Sequence, residues 1–140
     1  MVARLWNLLH DGVIVRIDGS APGDLEIEVK ARYLCEMFAG AGQGFVIQLR
    51  GCSLFKFTPW GLPAITELRE IVEAGPQLVS AQDGDSLAVC CAEGVLHVRC
   101  QTGHLRFDSG ELITLPELED ACSRYSDRFK ARQQVKLPAG

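Results

Sequence analysis

Cys90, His97 and Asp108 are the residues in this chain whose types and spacing come nearest to a known chemistry. If Glu93-Gly94 is a two-residue hairpin turn, Cys90 stands opposite His97; if Thr102-Gly103 is another, His97 stands opposite Asp108. Directly opposed Cβ atoms lie about 4.5–5.5 Å apart across a ladder. A carboxylate would then orient an imidazole, and the imidazole would deprotonate a thiol, the order nucleophilic catalysis uses. The same letters also describe a solvated His–Asp pair beside a small residue in the middle of a sheet, where no cleft encloses it.

The Thr102-Gly103 turn would also set Arg99 opposite Arg106. Like charges opposed in a ladder repel, so this register calls for a neighbouring carboxylate or an anionic partner, with Arg50 or Lys56 close by. Asp24, Glu26 and Glu28 form an acidic stripe that would suit a basic partner. Arg50, Arg99, Arg106, Glu26 and Glu28 are therefore the candidate binding residues.

Other chemistries are poorly served. His10, His97 and His104 are scattered, and no Cys-x-x-Cys pair occurs, so no metal ligand set is expected. Gly40-x-Gly42-x-Gly44 lacks the spacing of a dinucleotide loop and is followed by a strand instead of a helix. No cofactor is expected. Cys35, Cys52, Cys91, Cys100 and Cys122 fall at or near apolar positions and read as small buried hydrophobes. Adjacent Cys90 and Cys91 point to opposite faces of a strand, so disulfides are not expected, nor is an oxidising compartment. Trp6, Phe57 and Trp60 suit core filling or the anchoring of a partner.

The elements that carry these residues are legible as alternation. Apolar and polar residues alternate over 13–18, 24–31, 45–50, 54–58, 78–82, 86–92, 95–101 and 104–108, separated by Gly-containing turns. In the first of these, Val13, Val15 and Ile17 share one side. Residues 32–38 suggest a short helical turn and 39–44 a loop. A modest helix is expected over 63–74, stopped by Gly75-Pro76. The last helix has the clearest start. Thr114-Leu115-Pro116-Glu117 has the form of a capping box, and Leu115, Leu118, Cys122, Tyr125 and Phe129 recur at helical spacing. Arg124, Arg128, Lys130, Arg132 and Lys136 complement that helix's C-terminal end.

At 140 residues, with 47% hydrophobic and 23% charged, one domain over 1–140 is expected. The fold class is α+β: a mostly antiparallel sheet of seven or eight strands, open or curled into a partial barrel. A C-terminal amphipathic helix and one shorter helix cover one face. The other face is expected to carry Arg16, Glu26, Glu28, Gln48, Arg50, Lys56, His97, Arg99 and Arg106 to solvent. Fourteen basic against 18 acidic residues give a net charge of −4, which argues against nucleic acid as the partner. No apolar run reaches the roughly 20 residues of a membrane span, and no signal peptide is evident, so a cytoplasmic protein is expected.

Trp6, the Leu9-His10-Asp11-Gly12 run, a following hairpin, a strand ending at Gly51-Cys52 and a closing helix resemble the layout of small uncharacterised bacterial α+β proteins of the toxin-immunity type. That resemblance implies a cytosolic protein that binds and blocks another protein, such as a toxin or other basic protein, without catalysis. The alternative is a ligand-binding domain or enzyme using the Cys90–His97–Asp108 row or a pocket between sheet and helix. Self-association through an exposed strand is compatible with either.

Overall fold

From residue 44 to 59 the strand alternation is interrupted once, at Gly51-Cys52-Ser53, and there the chain leaves one sheet and enters another. The computed structural model describes residues 3–31, 34, 37 and 44–136, with side chains to residue 127. The expected helical turn over 32–38, most of the 39–44 loop, Cys35, and the side chains of Arg128, Phe129, Lys130, Arg132 and Lys136 lie outside the described residues.

The elements in order are α1 (Ala3–Leu8), β1 (Val13–Gly19), β2 (Gly23–Lys30), β3 (Gly44–Cys52), β4 (Leu54–Pro59), α2 (Leu68–Ala74), β5 (Leu78–Gln82), β6 (Leu87–Cys91), β7 (Gly94–Arg99), β8 (Thr102–Phe107), β9 (Leu112–Ile113) and α3 (Leu115–Lys136). The fold is α+β. Its strands form two antiparallel sheets, a five-stranded one ordered β1-β2-β3-β8-β9 and a four-stranded one ordered β4-β7-β6-β5. The expected single sheet is thus divided in two.

The division follows from two strands that bend together. β3 pairs with β8 and β4 with β7, so the continuous stretch β3–β4 runs antiparallel to the continuous stretch β7–β8 around a shared corner. Gly51 makes that corner with φ +64°, and a Cβ there would meet the Gln101 side chain at 2.7 Å. Glycine suits this left-handed backbone, and its missing Cβ leaves room for the Gln101 side chain. Away from this corner the sheets meet again, where Ile14 N–H donates to Pro76 O (3.0 Å) and Leu78 N–H to Gly12 O (2.8 Å). The barrel does not close.

Both sheets turn their apolar faces inward onto one core. Ile27, Phe45 and Ile47 enter it from the first sheet, Phe57, Leu78 and Leu96 from the second. β1 contributes through a bulge between Ile14 and Arg16. The extra residue, Val15, is exposed, which sets Ile14 opposite Val29 and Ile17 opposite Ile27 on the core side. Val13, Val15 and Ile17 therefore do not share one side as expected: Ile14 and Ile17 do, because a bulge shifts the phase of alternation by one.

The helices fill positions that a one-sheet picture could not supply. α1 lies against β5, with Trp6 and Leu9 in the core. Asp83 caps it, both carboxylate oxygens accepting from the Ala3 N–H (3.0 and 3.2 Å). Asn7 reads the edge of β5 with its side-chain amide, donating to Ala81 O (3.0 Å) and accepting from Ala81 N–H (2.7 Å). α2 packs on β1. It starts later than residue 63 because Phe57 and Ile65 exchange two backbone bonds (2.9 and 2.7 Å), which hold Ile65 in a β-bridge instead of a helical turn. Gly75 ends it in the left-handed conformation, φ 59°.

α3 begins with the expected capping box. Glu117 N–H donates to Thr114 Oγ1 (3.3 Å), while Thr114 N–H (3.3 Å) and its hydroxyl (2.8 Å) donate to Glu117 Oε1. Leu118 and Ala121 are fully buried, with Leu115, Cys122 and Tyr125 packed beside them. The helix docks on α1: Arg4 pairs with Glu119 (2.7 Å) and the Cys122 thiol donates to Leu8 O (3.3 Å). Among the described residues, no helix is long and apolar enough to cross a membrane.

Candidate functional site

The outer face of the five-stranded sheet carries two polar rows. Asp18, Glu26, Gln48 and His104 are paired in register across β1, β2, β3 and β8; beside them run Arg16, Glu28, Val46 and Arg106. Alternation places these side chains outward, since Leu25, Ile27 and Val29 take the inner positions of the same strand.

Glu26 is the hub of this face. Gln48 Nε2 donates to its Oε1 and Arg106 Nη2 to its Oε2, each at 3.1 Å. These two hydrogen bonds, helped by the positive charges of Arg106 and Arg16, hold the carboxyl below its usual range. Arg16 is shared between Asp18 and Glu28. Glu26 and Glu28 of the acidic stripe are thus partnered by Arg106 and Arg16, and the neighbouring carboxylate that Arg106 requires comes from Glu26 itself.

The sign of the Glu26 contribution is fixed by that lowered pKa. The network stabilises the fold fully above the unfolded value of 4.5 and loses this contribution as pH falls through the lower folded value. Glu26→Gln is expected to flatten the stability–pH profile between about pH 5 and 3, measured by urea unfolding across that range. The pair is partly exposed, so the change should stay below about 1 kcal/mol. An unchanged slope would remove Glu26 from the acid response.

The remaining expected site residues are placed as follows. Cys90 pairs with Val95, and His97 pairs with Ala88 on one side and Lys56 on the other. The expected Cys90–His97 opposition does not form, because the turn is Ala92-Glu93 and Cys91 faces Gly94. Gly94 serves close packing there: a Cβ on it would meet Thr58 O at 2.2 Å. Thr102-Gly103 is no turn either. β7 and β8 are successive arms of one bent strand, so Asp108 belongs to the other sheet, where its N–H donates to Gly44 O (3.2 Å). The Cys90–His97–Asp108 row is not assembled.

For the same reason Arg99 and Arg106 are not opposed. Arg99 pairs with Leu54 and donates from Nε to Asp85 O (3.2 Å), whereas Arg106 pairs with Val46. Arg50 lies opposite Thr102 on the first sheet. Glu26, Glu28, Arg50 and Arg106 therefore share one outer face, and Arg99 lies on the second sheet with Lys56 and His97. Gly44 opens β3, while Gly40 and Gly42 lie outside the described residues. Among the described residues, no group of three or more His, Cys, Asp or Glu could hold a metal ion.

The tryptophans separate cleanly. Trp6 and Phe57 are core residues, but Trp60 is 58% exposed and Leu62 beside it 63% exposed. They sit on Pro59-Trp60-Gly61-Leu62-Pro63, a tip closed at its base by the Phe57–Ile65 bridge. Trp60 N–H donates to Glu93 O and its indole Nε1–H to Ala92 O, both at 3.0 Å. The polar edge of the ring is satisfied inside the molecule while the apolar face is presented to solvent. Exposed acids, Glu67, Glu70 and Glu73, follow on and before α2, with Arg69 among them. Alternation could not have found this tip; the proline-flanked Trp-Gly-Leu sequence is the available signal.

Grooves are also present. One of about 570 Å³ runs between β8, β9 and α1, lined by Leu5, His104, Leu105, Leu112, Ile113 and Leu115. A smaller one, about 330 Å³, borders Asp24, Glu26, Gln48 and Arg50. Compared with protein-family models, curated proteins and solved structures, the chain matches none.

Proposed function

We propose that this chain is a non-enzymatic protein-binding domain that docks a basic partner protein through the Trp60–Leu62 tip, in the manner of an inhibitor of the immunity type. The observation that carries this reading is the exposed Trp60, whose backbone N–H and indole N–H are both bound internally. A tryptophan held this way loses little side-chain freedom on docking, and Trp is among the residues that dominate interface energetics. The net charge of −4 supplies attraction for a basic surface. A cytoplasmic setting and a toxin as the partner belong to the same proposal.

The test is affinity capture with the whole protein as bait, at low and moderate salt. A stoichiometric basic partner is expected with the native chain. Trp60→Ala should weaken its binding by about a hundredfold while leaving Tm unchanged, because the removed ring covers no core. Absence of any stoichiometric partner, or equal capture by Trp60→Ala, would sink the proposal. A second reading, a ligand-binding domain, is favoured by the apolar groove of about 570 Å³ beside His104. A rise in Tm with small apolar ligands, lost in Leu105→Ala, would support that reading instead.

A further inference from the structure

Cys52 and Cys100 meet at the corner where both bent strands cross together from one sheet to the other. On one side of them Gln101 N–H donates to Arg50 O, and on the other Ser53 N–H donates to Arg99 O, each at 2.9 Å. These two bonds hold Cys52 and Cys100 facing each other across the ladder. Cys52 is buried, Cys100 is half-buried against the same core, and each thiol is close enough to shift the pKa of the other. The other described cysteines have no such geometry: Cys90 and Cys91 point to opposite sides of β6, and the Cys122 thiol donates to Leu8 O.

We propose that Cys52 and Cys100 are an oxidation site, forming a reversible disulfide that staples the two sheets at their common corner when the protein meets hydrogen peroxide. The Cys100 thiolate attacks one peroxide oxygen, the O–O bond breaks, and hydroxide leaves to take a proton, giving a sulfenic acid on Cys100. The Cys52 sulfur then attacks that sulfur; an S–S bond forms, the S–O bond breaks, and water leaves with the Cys52 proton. Two thiols lose two electrons and two protons, and one peroxide becomes two waters. Cys100 takes the first role because it is the less buried of the two residues. Burial pushes both thiols up, Cys52 to about 12, so the reaction is slow and its selectivity comes from contact.

The experiment equilibrates the reduced, full-length protein with hydrogen peroxide, quenches with an alkylating agent, and maps the peptides. A monomer lighter by about 2 Da, with one Cys52–Cys100 linkage that dithiothreitol reverses, is expected. The oxidised form should unfold at a higher Tm than the reduced form. Cys100→Ser should abolish the linkage and Cys90→Ala should leave it intact; mapping of the native chain decides the matter even where a variant folds poorly. Linkage through other cysteines only, or Cys52 and Cys100 both still alkylated after full equilibration in denaturant, would overturn the assignment.

Discussion

Trp6→Ala is expected to destabilise the protein by about 3–5 kcal/mol, the range found when a fully buried large aromatic is truncated. Trp6 is 1% exposed and lies on α1, a six-residue helix. A helix this short has no stability of its own in water, so its place depends on what it buries. Trp6 and Leu9 enter the core beneath it, and α3 docks on its other side through Arg4–Glu119 and Cys122–Leu8. Removing the indole should therefore loosen α3 as well. Urea unfolding measures the loss, and hydrogen exchange along residues 115–127 should rise with it. A cost below about 1 kcal/mol would mean that the cavity collapses and α1 does not bind the two layers together.

Asn7→Ala is expected to cost about 1–3 kcal/mol, because it leaves both backbone groups of Ala81 without their partner. The Asn7 amide acts as one residue of an added strand, donating to Ala81 O and accepting from Ala81 N–H. β5 is an outer strand of its sheet, so this side chain also blunts an edge that could otherwise pair with another chain. Asn7→Asp separates the two bonds: it keeps an acceptor for Ala81 N–H and loses the donor for Ala81 O. An intermediate loss of stability, with Ala81 amide exchange slow in Asn7→Asp and fast in Asn7→Ala, is the expected pattern. Equal exchange in all three proteins would show that water replaces the side chain at no cost.

Much of the secondary structure was legible because its signals are local. Among the described residues, eight of the nine strands follow from alternation, with ends shifted by a residue or two, and the Thr114–Glu117 box marks the start of α3. β9 is two residues long, too short to show a period. α1 was hidden because six residues hold fewer than two helical turns. The outward positions of Glu26, Glu28, Arg50 and Arg106 were readable for the same reason as the strands: alternate residues share a face.

Which strands become neighbours was not readable. Alternation is identical whether Cys100-Gln101 is a bend between sheets or the approach to a hairpin, so it could not choose between Arg106 facing Arg99 and Arg106 facing Val46. Glycine was equally ambiguous. Gly94 looks like a turn residue, yet its missing Cβ serves the approach of Thr58 from another strand. Nor does residue type separate Trp6, sealed beneath α1, from Trp60, held with its ring in solvent. The sequence by itself determined which side chains share a face and where helices begin, since these depend on neighbours a few residues away. Tertiary structure decided the two sheets, the register, the meeting of Cys52 with Cys100 and the exposure of Trp60, because each depends on segments brought together from distant parts of the chain.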